Sequence, residues 1–340
     1  MFSSSFPPMQ AEVIRRQTLL HLPSASGIEV AANKLCVIGD DSPWLYVLDQ
    51  QWNTIGKVAL FTPEGILPED NIGPHAPEIR ANRIPKKLKP DLEMLTKLQI
   101  GPEEMLLVAG SGAESPQRDV AFLVRPDESL SVTALSLTPL YNQLRAMPEV
   151  VGQGRLNLEG LAADHEWVFF LQRGNVSGLN VLIRYDRLSF TAYLSGQSDQ
   201  LPMPQVHRYE LPSIAGIRSG FSGATLLTIS HGSGSEEGMR GSGGEIGLPP
   251  AVLLFTASVE NTADEILDGE TLGSLVGFLN PDQPEQLLSW AWITEKGQPY
   301  TGKVESIAVL EEPSESGLFA IAVTDNDFGD SEILELRLSW

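Results

Sequence analysis

Short apolar runs separated by Gly, Pro, Asp, Asn and Ser dominate this chain, and long helical periodicity is scarce. That pattern predicts strands joined by turns, and hence an all-β fold. The strand candidates are "KLCVIGD", "WLYVLD", "MLLVAGS", "VAFLVRP", "WVFFLQR", "NVLIRYD", "VLLFTASVE", "LFAIAVTD" and "EILELRL". One short helix is expected over residues 137–147, "LTPLYNQLRAM".

The runs recur as a unit. Each unit opens on an apolar residue followed by Glu. It continues through a strongly apolar strand ending in small or polar residues, and then through a third and usually a fourth strand. Glu29, Glu93, Glu159 and Glu305 head four such units. A fifth fits between the last two, with Ser222 of "SGFSGATLLTI" in the place of Glu. The last unit has three strands, and the N-terminal "AEVIRRQTLLHL" is a spare strand that would complete it. The expected architecture is a single-domain β-propeller of four-stranded blades, closed by the N-terminal strand. Five blades fit the units, and six fit if residues 63–90 hide a further one. A two-sheet sandwich is the alternative, but it leaves the recurring carboxylate unexplained. Residues 231–250, rich in Gly, Ser and Glu, read as a mobile loop, and the proline-rich 63–90 as a long connection between blades.

In a propeller the first strand of each blade lines the central channel, so Glu29, Glu93, Glu159 and Glu305 are expected to meet at one mouth, with Ser222 as fifth member. The ends of the second strands add Asp40, Asp41, Ser111, Arg173, Asn175, Glu260, Asp325 and Asp327 to the same face. Clustered carboxylates repel, so something must compensate. A Ca²⁺ or Mg²⁺ ion, lysine and arginine side chains, or protonation would each serve. Lys86, Lys87, Lys89, Lys303, Arg83 and Arg218 adjoin the first strands and are the candidate cations. In a purely structural alternative the glutamates bond the amides of neighbouring blades. The spacing in "DNDFGD" offers Asp325 and Asp327 as metal ligands beside Glu159 and Glu305.

Charge and composition narrow the partners. A net charge of −21 argues against nucleic acid and anionic membranes, leaving cations or small molecules. The lone Cys36 sits in an apolar run and reads as core. The five histidines are scattered, without the i, i+4 spacing of a metal pair. No G-x-S-x-G elbow, Walker loop or Rossmann fingerprint is present. The start of the chain lacks a basic stretch followed by an apolar block, and no apolar run reaches the ~20 residues of a membrane span, so a cytoplasmic monomer is expected.

The pairs "LNLEGLA" with "WVFFLQRGN", and "KVESIAV" with "FAIAVTDNDFGDSEI", resemble a pattern found in phytase-like, esterase-like propeller proteins. The gluconolactonase and strictosidine-synthase group is similar too. "RIPKKLKPDLE" with "LLFTASVENTADEILDGETLGSLVG" resembles a bacterial family of that kind with no established activity. The broader groups have six blades and often hold a divalent cation in the channel. The resemblance therefore implies a cation site at Glu159 and Glu305, and a small-molecule hydrolase in which a metal activates water and a Glu acts as base. Two functions follow: a ligand- or cation-binding propeller, with a scaffold as its non-catalytic variant, or a cation-dependent esterase or lactonase.

Overall fold

The computed structural model describes residues 8–62, 83–84, 88–127, 129–174, 178–228, 249–262, 269–284, 287–311, 313–314, 317–325 and 331–340. Three separate four-stranded antiparallel sheets come first in the chain. They are β2–β5 (Ala25–Ala31, Lys34–Gly39, Trp44–Leu48, Thr54–Ala59), β6–β9 (Leu92–Ile100, Glu103–Gly110, Val120–Val124, Val132–Ser136) and β10–β13 (Leu158–Ala163, Trp167–Gln172, Asn180–Asp186, Gln205–Tyr209). A two-stranded ladder, β14 (Ser213–Ile214) with β15 (Ile217–Arg218), precedes β16–β19 (Gly220–Thr228, Ala251–Asn261, Glu270–Leu279, Leu287–Glu295). After the short β20 (Gln298–Pro299) come β21–β23 (Lys303–Val309, Gly317–Asp325, Ser331–Ser339). The N-terminal β1 (Gln10–Leu19) pairs antiparallel along β23, from Gln10 opposite Ser339 to Leu19 opposite Ser331. Its first residues also run parallel to β19, Ala11 opposite Ile293, so one continuous sheet reaches from β16 to β21.

The first strands neighbour one another in a cycle, β2 to β6 to β10 to β16 to β21 and back to β2. Each gap between consecutive sheets holds its own apolar cluster. Ile38, Leu92 and Val108 fill the first, and Leu158, Phe170 and Tyr185 pack with the helices in the second. Phe221 and Phe255 meet edge-on at 5.1 Å in the third, Val252, Leu254 and Leu336 fill the fourth, and Ile28, Val37 and Ile321 the fifth. Sheets standing face to face around a common axis, each buried on both sides, make this an all-β fold of β-propeller architecture. Burial on both faces is why the second strands are almost uninterrupted apolar runs rather than alternating ones.

Helices are few. α1 (Thr138–Arg145) falls within the expected 137–147. α2 (Pro148–Val151) follows it, and α3 (Arg187–Leu194) is unanticipated. The carboxylate of Asp186 caps α3, accepting from the Ser189 amide at 2.8 Å. α1 is fixed to the end of β7: Tyr141 Oη donates to the Gly110 carbonyl at 2.8 Å, and Arg145 pairs with the buried Asp119. Of the expected connection and loop, residues 63–82, 85–87 and 231–248 lie outside the described residues, as do Asn175 and Asp327. Among the described residues no helix is long and apolar enough to cross a membrane.

Candidate functional site

Every first strand carries a β-bulge near its start. Pairing to the second strand skips Ser26 in β2, Glu93 in β6, Glu159 in β10, Ser222 in β16 and Glu305 in β21. A bulged residue leaves the ladder and re-aims its side chain, which is how carboxylates occur inside buried strands. Gly27, Gly160 and Gly223 follow three of these bulges because neighbouring first strands approach closely. A Cβ on Gly223 would meet the Glu305 carbonyl oxygen at 2.4 Å.

The bulge register corrects one expectation. Glu29 is not the counterpart of Glu93, Glu159 and Glu305; Ser26 is. Glu29 lies three residues further along, where the other strands have Thr96, Ala162, Thr225 and Ala308. Its carboxylate accepts from the amides of Val30 at 2.7 Å and Lys97 at 3.3 Å, with Lys97 Nζ at 3.8 Å. Lys97 is four residues beyond Glu93, about 13 Å along an extended strand, so Glu29 belongs to the far end of the channel.

The two serines play a different part from the three glutamates. Ser26 Oγ donates to the Leu92 carbonyl at 2.5 Å, and Ser222 Oγ to that of Val304 at 2.6 Å. In each case the acceptor precedes the bulged glutamate of an adjacent strand, so the hydroxyls stitch the ring. The glutamates are left for the mouth. Two residues before the bulges stand Ser24, Asp91, Asn157, Gly220 and Lys303, and at the ends of the second strands Asp40, Ser111, Arg173, Ser258 and Asp325. Sequence patterning alone missed Asp91, Asn157 and Arg118, and the recurring two-residue offset from the bulge is the signal that finds the first two.

These residues form two ion-pair networks. In one, Arg173 Nη1 lies 3.2 Å from Glu159 Oε2 and its Nη2 2.8 Å from Glu260 Oε1. Lys303 Nζ bridges Glu260 at 3.2 Å and Glu305 at 2.8 Å, and Asn157 donates to Glu159 at 2.7 Å. In the other, Lys89 Nζ bridges Asp40 and Asp91, at 2.9 Å from Asp91 Oδ1. Arg118 reaches Asp91 Oδ2 at 2.5 Å, Ser111 donates to the same oxygen, and Arg83 holds Asp41 at 2.5 Å. Glu93 lies between the two networks. Among the described residues nothing donates a hydrogen bond to it and no cation pairs with it.

Burial and charge set the protonation pattern. Burial, then the charges of Glu159, Asp91, Asp40 and Glu305, push the Glu93 carboxyl well above the usual range. Burial lifts Glu305 to about 8 against the pull of Lys303, with Glu159 adding to the rise. Burial and then Asp40 raise Asp41 to about 7, despite Arg83. Asp91 is the exception: burial opposes ionisation, but Lys89 and Arg118 hold it below the ordinary carboxylate value. Arg173 is charged despite burial, because Glu260, Glu159 and Glu305 surround it.

A metal site was expected at Glu159, Glu305, Asp325 and Asp327. Instead, Glu159 and Glu305 face Arg173 and Lys303, and Asp325 lies opposite Lys303 in the β21–β22 register. Three carboxylates with oxygens within 4.8 Å of one another are found elsewhere, at Asp40, Asp91 and Glu93. A Ca²⁺ ion there would need contacts of ~2.3–2.6 Å, but the Lys89 ammonium already bridges two of the three groups. At ~3 Å and an effective dielectric near 20, that ammonium would repel a divalent ion by about 11 kcal/mol. A metal there would have to compete with Lys89 for Asp40 and Asp91. Arg218, also expected at the mouth, lies exposed on the β14–β15 ladder and is not brought into either network.

Among solved structures, the chain is similar to a glutaminyl cyclase from Myxococcus xanthus (10% identity, 98% of this chain and 99% of that one, TM-score 0.47). It is also similar to regucalcin, a calcium-binding protein from Agrobacterium tumefaciens (10%, 96% and 95%, TM-score 0.40), and to virginiamycin B lyase from Staphylococcus aureus (8%, 98% and 99%, TM-score 0.36). No curated protein matches it. A family model does match, over residues 21–231 and 239–338, and the chain belongs to that family, a family of unknown function designated DUF6929.

Proposed function

We propose that this chain is a five-bladed propeller that binds a small polar ligand or a cation at the mouth formed by Glu93, Glu159, Glu260, Glu305, Asp40 and Asp91. The observation that carries the reading is Glu93. Its carboxyl feels the charges of Glu159, Asp91, Asp40 and Glu305, and among the described residues it has no ion-pair or hydrogen-bond partner, although Lys89 acts on it from the Asp40–Asp91 bridge. Structural ion pairs are matched, as Arg173 is matched to Glu159 and Glu260. An unmatched acceptor among these buried carboxylates points to a partner from outside. The four-stranded groups, the cycle of first strands and the closing β1 support the blade count.

The test is a thermal-shift and calorimetric screen of small polar compounds and cations against the protein and its Glu93→Gln variant. The reading expects saturable stabilisation of the unaltered protein that the variant loses. Failure of every compound, or stabilisation indifferent to Glu93, would overturn it.

One observation favours a second, catalytic reading. Burial raises both carboxyls, Glu93 well above the usual range, while Arg173 and Lys303 pull against the rise at the neighbouring Glu159. An acid beside a base is an arrangement for general acid–base chemistry. Hydrolysis of simple esters and lactones, lost in Glu93→Gln, would support an esterase- or lactonase-type enzyme; absence of turnover would leave the binding reading alone.

A further inference from the structure

We propose that the mouth's ligand is an organic ammonium, a primary amine in its protonated form, rather than a metal ion. This rests on the reading of the mouth as a ligand site and deepens it. The mouth already contains two ammonium groups, each bridging a pair of carboxylates. Lys89 Nζ joins Asp40 to Asp91, and Lys303 Nζ joins Glu260 to Glu305 at 3.2 and 2.8 Å. The carboxylate spacing on both sides is therefore the spacing an –NH₃⁺ group satisfies.

A third place of the same kind is left over. Among the described residues Glu93 has no ion-pair or hydrogen-bond partner, and Glu159 and Glu305 are among the charges acting on it. Glu305 is 3% exposed; its Oε1 faces Lys303 while its Oε2 has no hydrogen-bond partner. An ammonium would favour the ionised form of both carboxyls over the protonated one, and an ionised carboxylate can only accept, so both groups then call for N–H or O–H donors. The serines of the ring cannot supply them, since Ser26 and Ser222 already donate to backbone carbonyls. Asn157 donates to Glu159, and Arg173 is drawn to Glu159 and Glu260. A divalent ion meets two resident ammoniums and the Arg173 guanidinium. A monovalent ammonium meets half that repulsion and brings three donors.

The experiment is isothermal calorimetry and thermal shift on the full chain at constant ionic strength. The probes are ethylammonium, the diammonium of 1,3-diaminopropane, tetramethylammonium, Ca²⁺ and Mg²⁺. Tetramethylammonium has the charge without the donors. The expected result is saturable binding of the primary ammonium probes, none for tetramethylammonium, and none for the metal ions. Glu93→Gln and Glu305→Gln should each weaken amine binding at least tenfold, and Glu29→Gln at the far end of the channel should leave it unchanged. Saturable Ca²⁺ or Mg²⁺ binding without amine binding would overturn the ammonium assignment while leaving the mouth a ligand site. Equal binding of tetramethylammonium would overturn it too, by showing that charge alone suffices. If no cation binds, the assignment is wrong, and the wider screen of uncharged compounds then judges the mouth itself. Should Glu93→Gln fail to fold, Glu305→Gln and the tetramethylammonium comparison decide.

Discussion

Replacing Arg173 by Met tests the ion-pair networks directly. Arg173 is 4% exposed and stands 2.8 Å from Glu260 and 3.2 Å from Glu159. At an effective dielectric near 20 the two attractions are worth about 6 and 5 kcal/mol before desolvation is counted. Removing the cation leaves two buried carboxylates close together. Lys303 still reaches Glu260, but Glu159 keeps only Asn157. Breaking a buried pair in this way typically costs about 3–5 kcal/mol. For 340 residues the unfolding entropy is on the order of 0.7 kcal/mol/K, so the melting temperature should fall by about 4–7 °C. The fall should grow with pH, because the stranded carboxylates can escape by protonation only in acid. Differential scanning calorimetry at pH 6 and pH 8 measures both effects, and adding Glu159→Gln should restore part of the loss. A variant that melts within about 1 °C of the parent at both pH values would refute the reasoning.

Three further outcomes are expected. Between about pH 5 and pH 8 stability should decline as pH rises, because the folded Glu305 carboxyl titrates near 8 against 4.5 when unfolded, so the folded state binds more protons in that window. Calorimetry across this range should show the slope, and Glu305→Gln should flatten it; an unchanged slope would contradict the burial argument. Ser222→Ala should cost about 1 kcal/mol by removing the shorter of the two hydroxyl bonds to the Val304 carbonyl and leaving only Ser258 at 3.2 Å, measured by urea unfolding, and a neutral result would show that the stitch is dispensable. Deleting β1 should lower the melting temperature by more than about 5 °C or abolish the soluble monomer, since it exposes the edge of β23 and takes Ala11, Val13 and Leu19 out of two apolar clusters; size-exclusion chromatography and thermal melting decide.

The fold was legible in the sequence because blades buried on both faces write themselves as apolar runs. "WVFFLQ" and "AVLLFTASV" can be little else. Three of the bulged positions were legible for a related reason: Glu93, Glu159 and Glu305 are conspicuous where the rest of the strand is apolar. Ser26 was hidden because Glu29, three residues on, imitated the same signal. The dipeptide Ser26-Gly27 matches Ser222-Gly223, and glycine after the bulge has a steric reason, so that pairing was the better guide. The match of cations to carboxylates was not legible. Lys89 and Arg118 belong to different connections, and it is the pairing of β6 with β7 in one sheet that brings Arg118 to Asp91, two residues after Lys89. α3 escaped notice because its eight residues carry little amphipathic pattern, leaving only the Asp186 cap to announce it.

The two-sided pairing of β1 also sets an order of events. β1 leaves the ribosome before its partners, yet it pairs with β19 and β23, close to 300 residues later or more. During synthesis the earlier sheets can form from local contacts, but the cycle of first strands cannot close. Until β19 emerges β1 is a bare strand, until β23 follows one of its edges stays open, and contacts of this sequence separation are slow to form. Completion of the ring is therefore a late step that must wait for β23. The mouth, whose Glu93 and Lys303 come from opposite ends of the cycle, comes into existence only when that step is done.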